Sequence, residues 1–490
     1  MSTLSTFEAE CLVSKLKQIP IEEIGSSKWM TQHEWIEKLN IQCHQSAQSK
    51  HDEFVVNEIL TQDKLPTIIY NLVTIEIWKE KVFPLVVDEI NEQLSIKTYM
   101  ILYEEATLVT MLQILLFHSG AMEEGVSDDD GTALLELVDY CHRKLASVVA
   151  GKVNVDQFNC HLVEDDNNPS KKLMKQREHL EFTICSCCVS IVRFITEHLS
   201  KASISVMERV MNTHDMVLLL VSLITKQPWT KRTDKGMEKY NGSNRFIGID
   251  QNNRFRLTKI EGELWLSVYN LLLDKTCAGK YELNSFRRNE ILRLKPYLLP
   301  QIMDQLPVLR GLKRTLEELT IMNLDQSSSA TSLNQGVERK LLFVEIVPEF
   351  RENLLSKDFK QVAQKQLATT FNADEYDAND RKYDMDVLCR IYNNFDGIEE
   401  MLLESPVCAQ CGHDAEKRCS RCKSEWYCSR ECQLKSWKQH KKACDTISQN
   451  RQKSERQHKR QSDSDCKEQS ESMPYIKEVM TKSLKPWSQK

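Results

Sequence analysis

The stretch Cys408–Cys444, CAQCGHDAEKRCSRCKSEWYCSRECQLKSWKQHKKAC, decides the fold class of the C-terminal part of the chain. It holds seven of the 17 cysteines and two of the 12 histidines in the 490-residue sequence. Eight of these residues form four closely spaced pairs: Cys408 and Cys411, Cys419 and Cys422, Cys428 and Cys432, His440 and Cys444. Eight such ligands fill two four-coordinate zinc sites with no open position, which is typical of structural rather than catalytic zinc.

The spacing of the pairs restricts how they share the two ions. The first two pairs are Cys-x2-Cys knuckles, and the last two have i,i+4 spacing, which places each pair on one helix face. We predict a helix from Ser429, a good N-cap, to Lys442. At 1.5 Å per residue, Cys432 and His440 then lie about 12 Å apart, too far to share an ion. Each late pair therefore joins one knuckle, in either an interleaved or a nested order, and spacing alone leaves both open.

The stretch resembles a MYND-type zinc finger in its eight ligand positions, its Trp426-Tyr427-Cys428 run and its Trp437. The resemblance implies the interleaved order. One zinc ion then has the ligands Cys408, Cys411, Cys428 and Cys432, and the other has Cys419, Cys422, His440 and Cys444.

Composition places the chain among soluble globular proteins, with 41% hydrophobic and 28% charged residues. The N-terminus lacks the layout of a signal peptide. The densest apolar run, Met216–Ile224, is far shorter than the ~20 residues of a membrane span. We therefore expect a cytosolic or nuclear protein without a membrane span, whose reduced cysteines bind zinc instead of forming disulfides.

Charge is unevenly distributed along the chain. The total is −6, with +5 in the Cys408–Cys444 stretch and +3 in residues 445–490, so residues 1–407 carry −14. An acidic body of this size argues against a general nucleic-acid-binding protein, because it would repel phosphate. The basic finger suits an acidic partner.

The spacing of apolar residues in the body predicts a succession of helices, and the alternation of apolar and polar residues that is typical of strands is rare. Ile184–Leu199 has a continuous apolar face, and Thr258 with Glu261 forms a capping box that begins another helix. Ala202–Thr225 reads as a short helix, a tight turn and an apolar helix. The polar segment 231–256 predicts a short extended piece. We predict a mainly α fold, either an armadillo-like solenoid or an irregular bundle, because no fixed repeat period is visible.

Composition shifts divide the chain into five parts. These are a helical body at 1–324, a Ser-rich linker or loop at 325–336, C-terminal helices of the body at 337–400, the finger at 408–444 and a disordered tail at 446–490.

No catalytic motif stands out. The chain has no Gly-rich phosphate loop, no nucleophile elbow and no zinc-protease motif, so we predict no catalytic residue. The cluster Cys185-Ser-Cys187-Cys188 lies in an apolar helix, where cysteine packs as a small hydrophobe. A core role is therefore predicted for it.

Four further segments resemble a family of cytoplasmic factors that preassemble axonemal dynein arms: Asn212–Val217, Leu264–Leu273, Asp304–Pro307 and Arg418–Cys428. The resemblance implies a non-enzymatic adaptor or co-chaperone of motile-cilia biogenesis, located in the cytoplasm and concentrated near centrosomes or basal bodies. It implies a leucine-rich-repeat assembly factor, cytosolic heat-shock chaperones and an immunophilin co-chaperone as partners. Dynein intermediate and heavy chains are the implied clients.

Two other classes of protein carry such fingers. A MYND-containing lysine methyltransferase has its finger near the N-terminus within a β-rich SET domain, which does not fit a C-terminal finger on a helical body. A nuclear transcriptional co-repressor recruiting partners through the finger remains the alternative function.

Four residues of the finger are candidates for partner binding: Trp437, Trp426, Lys438 and Lys441. At ~100° per residue, Trp437 lies at the border of the metal-binding helix face, with Lys441 and Lys438 next around the helix. An indole beside lysines suits a peptide that is partly apolar and partly acidic. A core role for Trp437 is the competing interpretation.

Overall fold

The computed structural model describes most of the helical body and parts of the finger. Its described residues are 4–49, 53–91, 94–118, 121, 132–153, 168–233, 236–240, 246–249, 253–321, 347–372, 408, 410–411, 415, 417–421, 425–437, 440–441 and 444–445. The chain divides into two compact units, Met1–Ile398 and Glu399–Lys490. The predicted linker at 325–336 and the predicted tail at 446–490 lie outside the described residues.

The first unit is mainly helical, as predicted. Its α-helices are α1 (Thr6–Lys15), α2 (Ser27–Ser49), α3 (Phe54–Thr61), α4 (Leu65–Ile77), α5 (Phe83–Val86), α6 (Ser95–Leu115), α7 (Thr132–Val149), α8 (Pro169–His198), α9 (Ile204–Glu208), α10 (Met216–Lys226), α11 (Lys259–Leu273), α12 (Lys275–Ala278), α13 (Ser285–Leu292), α14 (Pro300–Gln305), α15 (Leu309–Ile321), α16 (Phe350–Leu355) and α17 (Phe359–Thr369).

The longer helices form two stacked layers. In one layer α2, α6, α8, α11 and α15 each contact the next, and in the other α4, α7, α10 and α13 do the same. Helices also pair across the layers, α4 with α6, α7 with α8, α10 with α11 and α13 with α15. Stacked helix pairs are the arrangement of an α-solenoid, so the packing order matches the armadillo-like alternative.

Local sequence signals explain where several helices begin. The predicted capping box of α11 is present, since the Thr258 side chain accepts from the backbone of Glu261 while the Glu261 carboxylate accepts from Thr258. The predicted turn before α10 is also present. There Asp215 adopts a left-handed conformation with φ 44° and caps the helix by accepting from Leu218 N.

Helix α8 is longer than predicted and spans 30 residues. Together with the turn that follows, it is long and apolar enough to cross a membrane, with a mean hydropathy of 1.4 in its most apolar part. Of that part, 61% is buried inside the body. Cys185 and Cys188 are among its buried residues, and burial raises the pKa of both thiols. These are the properties of a core helix.

A small antiparallel sheet interrupts the helices between α10 and α11. Its strands are β1 (Thr230–Thr233), β2 (Gly236–Tyr240) and β3 (Phe246–Ile249), in the order β1-β2-β3. Apart from Thr230, the sheet lies within the segment 231–256, which was predicted to hold only a short extended piece, so that prediction was incomplete. Tyr240 anchors the sheet, because it is fully buried and its ring packs edge-on against Phe182 of α8.

Residues 347–372, here called the C-terminal strap, return to the first helices of the body. Helix α16 contacts α4, and α17 contacts α5 and the turn Ile21–Glu23. Arg351 binds Glu76 and Glu80 at 2.9 Å each. The side chain of Gln366 is fully buried, accepts from Trp78 Nε1 at 2.9 Å and donates to the carbonyl of Ile21 at 2.9 Å.

The fit of the strap depends on a glycine. Gly25 has φ 79°, a backbone conformation that other residues rarely adopt. A Cβ atom at Gly25 would lie 2.7 Å from the Thr370 side chain of the strap. The strap therefore approaches the N-terminal segment more closely than any larger residue at position 25 would allow.

Candidate metal centre

The finger is built from a two-stranded ribbon and a helix. Strands β4 (Lys417–Arg418) and β5 (Trp426–Tyr427) pair antiparallel. A helix follows at residues 430–437, with helical turns again at 440–441 and 444–445. Ser429 begins this helix as predicted, because its hydroxyl accepts from the backbone N–H of Cys432 at 3.3 Å.

The first group of metal-binding side chains consists of Cys408, Cys411, Cys428 and Cys432, whose sulfur atoms lie within 4.8 Å of one another. The Sγ atoms of Cys411 and Cys428 are 3.4 Å apart, those of Cys428 and Cys432 3.6 Å, and those of Cys432 and Cys411 3.8 Å. Cys408 is buried, whereas Cys411 is exposed. This group therefore lies at the surface of the finger.

The second group consists of Cys419, His440 and Cys444, and all three are buried. Cys419 Sγ lies 3.9 Å from Cys444 Sγ and 3.4 Å from His440 Nε2. Cys422, the fourth predicted ligand, lies outside the described residues. The first group combines the first and third pairs of the sequence. The second group combines Cys419, from the second pair, with the fourth pair, His440 and Cys444. This is the interleaved order, which spacing alone did not distinguish from the nested one.

The donor atoms fit zinc in type and distance. A tetrahedral ion with Zn–S bonds of about 2.3 Å holds sulfur atoms about 3.8 Å apart. The sulfur–sulfur distances of 3.4–3.9 Å in the finger lie around that value. Thiolate and imidazole are the usual ligands of structural zinc, and in the described part of the finger neither group includes a carboxylate. The four thiols of the first group therefore form a closed site of the structural kind, and the second group supplies three of the four ligands that such a site needs.

The thiols of the first group differ in pKa, and therefore in how readily each becomes the thiolate that binds a cation. Burial acts to raise the pKa of Cys408, but hydrogen bonds from the backbone of Cys428, Gln410 and Cys411 lower it to about 6. Hydrogen bonds with Cys411, Cys432 and Cys408 raise the pKa of Cys428 to about 12. Four adjacent thiols do not all lose their protons readily, because the resulting thiolates would repel one another. A bound cation offsets this repulsion.

Glu425 is a functional residue that the sequence analysis missed. Its carboxylate lies 2.9 Å from Nδ1 of His440, the ring nitrogen opposite the one that faces Cys419. It also accepts a hydrogen bond from the Tyr427 hydroxyl at 2.5 Å, and burial and Glu425 raise the pKa of Tyr427 to about 12. A carboxylate behind a metal-binding histidine fixes the ring orientation and strengthens the ligand. Its position directly before the Trp426-Tyr427-Cys428 run was the available signal.

We expect Glu425→Gln to weaken zinc binding at the second site by about tenfold or more, because the carboxylate no longer orients His440. Titration against a chromophoric chelator would measure this change. Glu431→Gln is the matched control, since Glu431 is exposed on the finger helix. Equal zinc affinities in the two variants would contradict a supporting role for Glu425.

The predicted partner-binding residues differ in accessibility. Trp437 is half-buried, packs against the small core of the finger and has its ring 5.9 Å from that of His440. Trp426 is also half-buried and packs against the same core. Lys441 is exposed, and Lys438 lies outside the described residues. Leu434, which was not predicted, has 64% of its surface exposed one helical turn before Lys438.

The two ligand groups on a ribbon and helix define a zinc finger of the MYND type. Residues 408–444 match the MYND finger family. Over 53 residues, 11% of this chain, the sequence is 40% identical to the Tudor domain-containing protein 1 of Mus musculus, of which the match covers 4%.

Similarity also extends well beyond the finger. Over 461 residues the chain is 28% identical to the zinc finger MYND domain-containing protein 10 homolog of Drosophila melanogaster, covering 89% of this chain and 98% of that protein. No solved structure matches the chain. This similarity confirms that the chain resembles a protein with a MYND finger over its body as well as over the finger.

Proposed function

We propose that this protein is a non-enzymatic adaptor that assists the cytoplasmic preassembly of axonemal dynein arms for motile cilia. The observation that carries the proposal is the similarity to the zinc finger MYND domain-containing protein 10 homolog over nearly the whole chain, body and finger together. A finger shared alone, as with the Tudor domain-containing protein, would leave the role of the body open. The segments that resemble dynein-arm assembly factors lie in both units.

The two units suit different tasks in such an adaptor. Stacked helix pairs offer an extended surface for large clients, here dynein intermediate and heavy chains. The finger has a net charge of +5 and suits a short acidic or mixed segment of a partner. The proposed partners are a leucine-rich-repeat assembly factor, cytosolic heat-shock chaperones and an immunophilin co-chaperone. The proposed metal content is two structural zinc ions.

Affinity capture of the tagged protein from ciliating cells, read by mass spectrometry, tests the proposal. We expect dynein chains and chaperones in the captured material, and cytoplasmic signal near basal bodies when the cells are imaged. Recovery of chromatin proteins with nuclear signal would favour the co-repressor alternative. Methyl transfer from a labelled cofactor to any captured protein would contradict the absence of enzymatic activity.

We expect Trp437→Ala to weaken partner capture by the finger by about thirtyfold, or ~2 kcal/mol, because aromatic anchors dominate such contacts. Lys438→Ala should weaken capture only slightly, with the greater loss at low salt. Binding to immobilised partner, measured beside zinc content, distinguishes the outcomes. If Trp437→Ala releases zinc, the indole belongs to the finger core. If the variant keeps both zinc and full binding, the partner contacts the body instead.

A further inference from the structure

A small pocket in the body, here called the Trp229 pocket, lies where α10, α11 and α14 meet the start of the sheet. Its volume is about 30 Å³. Buried side chains of Ile224, Trp229, Leu264 and Trp265 form its wall, and the half-buried Leu257 and Ile302 stand at its opening. The pocket shares no residue with the finger. Its lining is mostly apolar but also includes polar groups of Gln227, Trp229, Glu261 and Tyr297, whose partners decide what the pocket can bind.

The polar group that needs a partner is the indole N–H of Trp229. Trp229 is 4% exposed, and its Nε1 atom has no hydrogen-bond partner in the described part of the chain. The neighbouring Thr230 hydroxyl is buried and also without one. By contrast, Trp78 donates from its Nε1 atom to Gln366. Buried donors are rarely left unpaired, so the pocket calls for an acceptor from outside the chain.

Glu261 and Tyr297, two other polar residues of the lining, are already engaged, and the side chain of Gln227 is half-buried. Glu261 accepts from Lys239 at 2.9 Å and from Thr258 at 2.8 Å. The hydroxyl of Tyr297 donates to the carbonyl of Thr225 at 3.3 Å. The buried donor of the pocket that lacks a partner is therefore Trp229 Nε1, which requires an acceptor, whereas the Gln227 amide can pair with a donor or an acceptor.

The edge of the pocket is basic and partly apolar. Arg254 and Arg256 are exposed, and Phe255 between them has 38% of its surface exposed. Gln305 fixes this segment beside the opening by donating to the Phe255 carbonyl at 2.8 Å and accepting from Leu257 N at 2.9 Å. In the described part of the chain, the carboxylate of Glu261 is paired with Lys239 and that of Asp304 with Arg310. The edge thus favours a ligand with negative charge.

We propose that the Trp229 pocket is a second partner-binding site, which takes an acidic peptide segment of another protein. One short aliphatic side chain of the peptide enters the pocket, a main-chain carbonyl accepts from Trp229 Nε1, and flanking carboxylates meet Arg254 and Arg256. The volume corresponds to about two water-sized groups, so the inserted side chain is small, such as valine. The site goes beyond the proposed finger contacts and shares no residue with them.

Titration of the full-length, zinc-loaded protein labelled with nitrogen-15 tryptophan tests the proposal. Trp229→Phe identifies the indole resonance of Trp229. The probe is acetyl-Glu-Glu-Val-Glu-Glu-amide, and we expect it to shift this resonance saturably. Peptides with glycine in place of valine, or lysine in place of each glutamate, should bind at least about tenfold more weakly, because they lose the inserted group or the charge match.

A charge-reversal variant tests the edge without disturbing the buried wall. Arg254→Glu should weaken binding of the acidic peptide about tenfold while keeping the helical circular dichroism signal. Lys172→Glu, an equal charge change at an exposed position of α8, should leave it unchanged. The proposal is overturned if millimolar peptide leaves the Trp229 resonance in place, which would mean that water alone satisfies the indole. An equal response to the glycine peptide, or unchanged binding by Arg254→Glu, would also overturn it.

Discussion

Replacing Cys419 by serine in the full-length protein is expected to lower the zinc content from two ions to one and to disorder the finger. Cys419 is buried and belongs to the second ligand group as well as to the small core formed with Tyr427 and Cys444. A module of about 40 residues cannot hold a core unaided. Zinc binding to such modules contributes about 10–16 kcal/mol at neutral pH, so losing a ligand removes most of what folds the finger.

Elemental analysis and limited proteolysis would measure this result together. Cys419→Ser should lose one ion and become rapidly cleaved between residues 408 and 444. The helical circular dichroism signal should persist, because the body is a separate compact unit. Cys11→Ser, at a half-buried position in α1, should keep both ions. A wild-type content of one ion, or two ions in Cys419→Ser, would refute the two-site arrangement, and loss of the helical signal would refute independent folding of the body.

The ligand pattern of the finger was readable from sequence because ligand identity and spacing are local properties. Cys-x2-Cys and i,i+4 pairs constrain geometry within a few residues, whatever the rest of the chain does. The order in which the pairs combine depends on how the ribbon folds against the helix. Glu425 was missed because the folding of the ribbon against the helix brings it close to His440. Its position in the sequence relative to His440 does not predict that contact.

The helical character of the body was also readable, from apolar periodicity and capping residues such as Thr258 and Asp215. The sheet was not, because its strands are only four or five residues long and β1, TKRT, has no apolar alternation. Short strands of this kind form because neighbouring helices supply a surface, here Phe182 against Tyr240. Tertiary packing then overrides weak local preference.

The C-terminal strap was the largest feature that the sequence did not reveal. The segment was expected to be helical, and α16 and α17 are. Nothing in its residues says that it packs on helices near the other end of the body. The contact between Gln366 and Trp78 joins residues 288 positions apart. A contact between residues so far apart in the sequence produces no local pattern, so it cannot be predicted from a single sequence.

A chain that ends at residue 346 is expected to be much less stable than one that ends at residue 398, although neither contains the finger. The strap buries Leu354, Val362 and Phe371 against the first helices. Large apolar side chains stabilise by about 2 kcal/mol each when buried, so their loss costs roughly 6 kcal/mol before the entropy of ordering the strap is subtracted. That is a large part of the ~5–15 kcal/mol that typically separates folded and unfolded states.

Polar groups add to the cost of removing the strap. Without Gln366, the buried Trp78 Nε1 loses its acceptor and the Ile21 carbonyl loses a donor, at about 1–3 kcal/mol each if water cannot replace them. Without Arg351, Glu76 keeps Arg143 as a partner, so this loss should matter less. Gln366→Leu in the 1–398 chain should therefore destabilise clearly, and Arg351→Ala should do so by a smaller amount.

Thermal unfolding followed by circular dichroism compares the two chains directly. The 1–346 chain should melt at a clearly lower temperature, and a synthetic peptide of residues 347–372 added in trans should raise its midpoint in a concentration-dependent way, because it binds only the folded state. A peptide carrying leucine at position 366 serves as the matched control and should stabilise less. Equal midpoints for the 1–346 and 1–398 chains would show that the strap adds nothing to the stability of the body. The first helices would then hold their buried tryptophan, Trp78, by other contacts.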